Sequence, residues 1–161
     1  MPDSAPRLPR AVESDSRHGS VRAVLSHLHP LGPLELPIVP LSEPLAEALA
    51  GAERGGQLVR GLEGVAEALD AEGRGLEAAG LATDARIARL LLVTTDGSPR
   101  FYRQVERALA THGGRTLAIA IACDATTFGR RVFGADATAK AVGVAHKDAV
   151  AAVLLALVAE A

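Results

Sequence analysis

From Ser42 onward the chain alternates between two hydrophobic periods. SEPLAEALAGA carries the 3.6-residue period of a helix, with Ser42 as N-cap, a proline and an acid in its first turn, and Gly55-Gly56 to end it. Gln57 to Val59 reads as a short strand. GLEGVAEALDA, from Gly61, then places Leu62, Val65, Ala66 and Leu69 at i, i+3, i+4 and i+7 on one helical face. The glycine-broken stretch Glu72 to Ala85 predicts an exposed connection with at most one helical turn. Arg89 to Thr95 is an unbroken aliphatic run, the mark of a buried strand, and Ser98-Pro99 caps and starts the helix that follows. That helix carries Phe101, Val105, Ala108 and Leu109 on one side and Arg100, Arg103 and Arg107 mostly on another, and Gly113-Gly114 stops it. Thr116 to Cys123 alternates Leu117, Ile119 and Ile121 with alanines, the pattern of a central strand against which helices can pack closely. Thr126 to Gly134 is a short helix, Lys140 to Val144 a buried strand, and the chain closes on a helix striped with Val150, Val153, Leu154, Leu157 and Val158. Strands alternating with helices predict an α/β fold, a three-layer α-β-α sandwich with a small mixed sheet.

Residues 1–42 break that rhythm. They hold Pro2, Pro6, Pro9, Pro30, Pro33, Pro37 and Pro40, seven of the nine prolines. Proline fixes φ and lacks the amide hydrogen, so helices are not expected to run through this segment. VRAVLSHL, Val21 to Leu28, reads as a short strand or helical turn, and PLGPLELPIVPL as extended chain lying across the domain. The expectation is a proline-rich, irregular tail over 1–42 preceding an α-β-α domain over 43–161. His18, His27 and His29 lie in the tail without further ligands at a defined spacing, so no metal is expected.

Composition narrows the chemistry. Hydrophobic residues make up 48% but aromatics only 2%, so the core must be built from Ala, Val, Leu and Ile. A single cysteine, Cys123, excludes an internal disulfide and a cysteine-rich zinc site. No apolar run approaches the roughly 20 residues that span a bilayer, and no charged start precedes an apolar run, so a soluble cytoplasmic protein without a membrane partner is expected. Net charge is −2, but it is unevenly placed. Residues 1–96 hold 9 Lys+Arg against 14 Asp+Glu, and 97–161 hold 8 against 5, so the basic excess is local to the second part.

Asp96, at the end of LLLVTTDGSP, is the obvious catalytic candidate, yet its surroundings lack what catalysis requires. An aspartyl-phosphate enzyme needs a second carboxylate nearby for magnesium, and the position two on is Ser98. No phosphate-binding glycine loop is present. Neither Cys123 nor His146 has an evident catalytic partner, and a cysteine ending a strand is more commonly a small packed side chain. No cofactor is expected. The few aromatics, Phe101, Tyr102, Phe128 and Phe133, also argue against base-stacking platforms of the RRM or OB type.

Taken together, ALAGAERGGQLVRGLEGVAEAL, the strand ending VTTDGSP, the arginine-bearing helix, TTFGRRVFGADATAKAVGV and the closing Ala/Leu helix resemble the kink-turn RNA-binding ribosomal protein family, the L-seven-Ae type, in particular its small bacterial members. The resemblance covers about Leu45 to Val158, and the family's Leu-Gly pair before a short helix ending in Gly falls here on Phe128-Gly129 and Gly134. It implies a non-catalytic α-β-α protein that grips structured RNA, such as ribosomal RNA, through two loops, with ribosome-associated proteins as further partners. One loop opens the second helix with G-x-N-E-x-x-K, which falls on Gly61, Leu62, Glu63, Gly64, Val65, Ala66 and Glu67, beside Arg60. Here Glu63 stands for the asparagine and Glu67 for the lysine. The other loop falls on Ala135, Asp136, Ala137, Thr138 and Ala139, with Lys140 adding a cation. Carboxylates near phosphate oppose binding, which Arg60 and Arg130-Arg131 would have to offset. Two readings stay open beside it: the same fold as a protein-interaction module, and a small hydrolase or phosphotransferase using Asp96.

Overall fold

The computed structural model describes residues 7–79, 86–112 and 114–159. Among them the helices are α1 (Arg10–Glu13), α2 (His18–Ser26), α3 (Glu43–Arg54), α4 (Leu62–Ala78), α5 (Pro99–His112), α6 (Ala125–Phe133) and α7 (Lys147–Ala156). The strands are β1 (Leu28–Leu31), β2 (Leu34–Val39), β3 (Leu58–Arg60), β4 (Arg89–Thr94), β5 (Thr116–Ile121) and β6 (Ala141–Val144). They form one mixed sheet in the order β1-β2-β5-β4-β6-β3. β2, β5 and β4 run parallel, β6 is antiparallel to both β4 and β3, and β1 is antiparallel to β2. No helix among the described residues is long and apolar enough to cross a membrane.

The alternation in β5 sets the layers. Ile119 and Ile121 belong to one apolar cluster with side chains of α3, α6 and α7, while Ala118 and Ala120 belong to a second cluster with Val65 and Leu69 of α4 and Tyr102 and Val105 of α5. Helices therefore cover both faces, giving the three-layer α-β-α sandwich. Local signals start the helices where the pattern places them. Ser42 Oγ accepts the Leu45 amide at 3.3 Å ahead of α3, and Ser98 Oγ accepts the Phe101 amide at 3.1 Å in the first turn of α5.

The segment 1–42, expected to be an irregular tail, is ordered and part of the fold from Arg7 onward. It builds α1, α2 and the β1–β2 hairpin, and Ile38 and Val39 of β2 ladder with Ala120 and Ile121 of β5. Leu8, Val12 and Val21 are fully buried in the larger cluster. Pro2 and Pro6 lie outside the described residues; the other five prolines of this segment are compatible with it because each falls where no ladder amide or helix-interior bond is needed. Pro9 precedes α1, Pro30 sits on an edge strand, Pro33 lies in the hairpin turn, Pro37 precedes the two residues that join β5, and Pro40 follows β2.

A second correction concerns Glu72 to Ala85. Instead of a glycine-broken connection, α4 continues to Ala78 through Gly73 and Gly75, and residues 80–85 lie outside the described set. Each glycine costs a helix about 1 kcal/mol against alanine. Just before these glycines, Glu72 bridges two arginines at the start of the sheet's central strands, Arg89 at 2.9 Å and Arg115 at 3.2 Å. His112 Nε2 also meets Asp70 Oδ1 at 2.7 Å from α5.

Candidate nucleic-acid interface

Arg60 is the last residue of β3, and its register partner in β6 is Val142. One residue on, Gly61 leaves the sheet with φ +93°, a left-handed conformation that glycine adopts without the Cβ penalty, and its amide donates to the Ala141 carbonyl at 2.8 Å. The two segments, Arg60–Gly64 and Ala137–Lys140, come from distant parts of the chain, and the β3–β6 pairing sets them side by side. Gly61 is the N-cap of α4 and supplies no side-chain acceptor, so no side chain of its own caps the first-turn amides of this long helix.

Not every expected contact residue faces out. Arg60, Glu63, Glu67, Thr138 and Lys140 are exposed, while Gly61, Gly64 and Ala137 are half-buried. Leu62 is half-buried and packs against the smaller core cluster. Ala139, expected to lie against RNA, is instead buried in the larger cluster, with its amide bonded to the Ala125 carbonyl at 3.0 Å. Small size there serves the close approach of the loop to α6. Gly129 makes the same point, since a Cβ on it would sit 2.4 Å from the Ala137 carbonyl oxygen.

The local charge is mixed. Arg60 and Lys140 supply cations, and Glu63, Glu67 and Asp136 supply anions. Of the three arginines expected to offset the acids, Arg131 pairs with Glu43 at 2.7 Å on the surface, so its charge already has a partner within the chain. One neighbour was hidden in the sequence: the Arg60 guanidinium lies over the Phe133 ring, 5.0 Å from its centre. Nothing local joins residues 60 and 133; only the strand pairing does. Asp136, in the same loop, takes φ +69°, which aspartate tolerates better than most residues.

The Asp96 turn is a different kind of object. Asp96 Oδ1 accepts the Thr94 hydroxyl at 2.6 Å and Oδ2 accepts the Ala125 amide at 3.1 Å. That amide is distant in sequence and belongs to the first turn of α6, where Asp124 also caps through the Thr127 amide at 2.7 Å. That amide bond holds the Asp124 carboxyl below its usual range. Burial, with Asp124 and Asp96 close by, pushes the Cys123 thiol up to about 11, the opposite of what a nucleophilic thiolate requires. His146 is the N-cap of α7, its Nδ1 accepting the Asp148 amide at 3.2 Å. No group of three or more metal-ligating side chains occurs among the described residues.

Tyr102 locks the turn, donating to the Thr94 carbonyl at 2.8 Å and accepting the Gly97 amide at 2.9 Å. Burial, the larger influence, raises its phenol above the ordinary value. Tyr102→Phe is expected to lower stability by about 1–2 kcal/mol, because it leaves two backbone groups without that partner. Urea unfolding measures this, and an unchanged midpoint would show that the hydroxyl is not needed to hold the turn.

Comparison with known proteins adds little to this geometry. No protein-family model matches the chain, and no curated protein matches it. A solved protein with unknown function from Bacillus halodurans C superposes with a TM-score of 0.49 at 16% identity, over 70% of this chain and 98% of that one.

Proposed function

We infer that the chain is a non-catalytic, cytoplasmic protein that binds structured RNA, kink-turn or ribosomal, through the surface made by Arg60–Glu67 and Ala137–Lys140. One observation carries the reading. The two segments that the resemblance aligns with the RNA-holding loops of the kink-turn family are far apart in this sequence, yet the Gly61–Ala141 hydrogen bond joins them and two exposed cations flank them. Phosphates would meet Arg60, Lys140 and the first-turn amides of α4, where the helix dipole favours an anion. Glu63 and Glu67 have no ion-pair partner among the described residues, so they repel a backbone that came close to the exposed face of α4. The RNA is therefore expected to lie toward the β3–β6 end rather than along α4.

The test is filter binding of a kink-turn RNA and of a ribosomal RNA fragment across a salt series. Binding is expected to weaken steeply with salt, and Arg60→Glu or Lys140→Glu to weaken it by about tenfold each while flattening the salt slope by about one unit. Absence of binding to both RNAs at low salt overturns the reading.

A further inference from the structure

The chain has five histidines, and their surroundings divide them. His18 Nε2 accepts from Arg22 at 3.4 Å, His112 Nε2 meets Asp70 at 2.7 Å, and His146 Nδ1 caps α7. His27 and His29 have no hydrogen-bond partner among the described residues, and they are the two that lie against each other, with ring centres 5.2 Å apart and planes inclined by 43°.

Their placement follows from the backbone. His27 has left the helix that precedes it, with φ −90° and ψ 88°, and His29 is the second residue of β1. Two residues apart on extended chain, they stand on the same side. β1 is the edge of the sheet, so no further strand covers it. The rings border an open groove of about 400 Å³ whose other walls are Ala23, Val24, Ile38, Val39, Pro40 and Leu157. They are the only polar side chains in that lining.

We propose that His27 and His29 form a divalent-metal site, with zinc as the ion it fits best, and that the remaining coordination positions open into the groove. The spacing is the main support. With Zn–N bonds of about 2.0–2.1 Å and tetrahedral angles, two imidazoles on one ion hold their ring centres roughly 5 Å apart. The ring centres here are 5.2 Å apart. Imidazole is a borderline ligand suited to zinc and its neighbours, whereas magnesium and calcium require oxygen donors that this groove does not supply. The apolar walls exclude competing donors and leave room for water or a small anionic ligand on the open side of the ion. With two protein ligands instead of four, the site binds and releases its ion and does not hold the fold together. The expectation from sequence concerned a site closed by further protein ligands, and no group of three such side chains occurs among the described residues; the proposal is of an open, two-ligand site.

The experiment is calorimetric titration of the full chain with zinc chloride in a buffer that does not coordinate metal. One ion per chain is expected, with His27→Gln and His29→Gln each lowering affinity by about tenfold or more, at least the loss seen when a metal's outer-shell partner is removed. His146→Gln is expected to leave the affinity unchanged. Cobalt in place of zinc should give the strong visible absorption of a four-coordinate ion. Three results overturn the proposal: no binding, wild-type affinity in both pair variants, or a weak six-coordinate cobalt spectrum.

Discussion

Leu8→Ala is expected to destabilise the protein by about 3 kcal/mol, the cost of removing a fully buried leucine from a packed site. Leu8 is 0% exposed and shares the larger core cluster with Val12, Val21 and residues of α3 and α7. Its backbone is held as well, since the Leu8 carbonyl accepts from Arg86 at 2.9 Å and Arg86 also meets Glu13 at 2.6 Å. The cavity could not collapse freely, because the chain on either side is fixed by the Ile87 amide bond to Arg7 at 2.8 Å and by α1. Urea denaturation gives the number through the midpoint at constant slope. A true tail would behave as an exposed site, where substitutions stay within about 0.5 kcal/mol, and a change that small would remove the N-terminal segment from the core.

Gly129→Ala sets two effects of opposite sign against each other. Gly129 is buried inside α6, where alanine ordinarily gains about 1 kcal/mol in helix propensity. A Cβ there meets the Ala137 carbonyl oxygen at 2.4 Å and Thr138 Cα at 2.5 Å, both backbone atoms that cannot rotate away. Overpacking of this kind costs about 3 kcal/mol, so overlap wins and the variant is expected to lose about 2 kcal/mol, or about 5 °C in Tm. Gly19, in α2, is the internal reference, because a Cβ on it meets nothing within 4 Å and propensity acts alone. The loop that must shift is Ala137–Lys140, so if that loop binds RNA as proposed, the affinity falls together with stability. A Gly129→Ala protein as stable as the parent would mean that α6 and this loop are not in close contact.

The order of elements from Ser42 to the last helix could be read because each carried its own local signal. Ser42 and Ser98 cap as expected, β4 is an uninterrupted aliphatic run, and β5 divides its two faces between isoleucine and alanine. What could not be read depends on residues far away in sequence. The prolines of residues 30–40 signal chain that cannot be helical, and that much was correct for the hairpin, but whether such chain is loose or laddered depends on β5, which lies much later. The second half of α4 was obscured by Gly73 and Gly75, and the reach of Glu72 to Arg89 and Arg115 across the sheet has no local signal. At the candidate interface Gly61 announced a turn and Arg60 and Lys140 announced charge. The inward direction of Ala139, the stacking of Arg60 on Phe133 and the pairing of Arg131 with Glu43 all require the assembled sheet.

The parallel junction between β2 and β5 also orders events in time. The β1–β2 hairpin closes on near neighbours in sequence and can form as soon as it leaves the ribosome, since synthesis proceeds from the N-terminus. Ile38 and Val39, however, find Ala120 and Ile121 only after α3, α4 and α5 have been made. Until then Leu34 and Leu36 have no helix-covered sheet beneath them, and the nascent chain carries a ready-made strand edge with an uncovered apolar face. Sequence separation of this kind slows folding more than it weakens the folded state. The hairpin is thus made well before the strand that it joins.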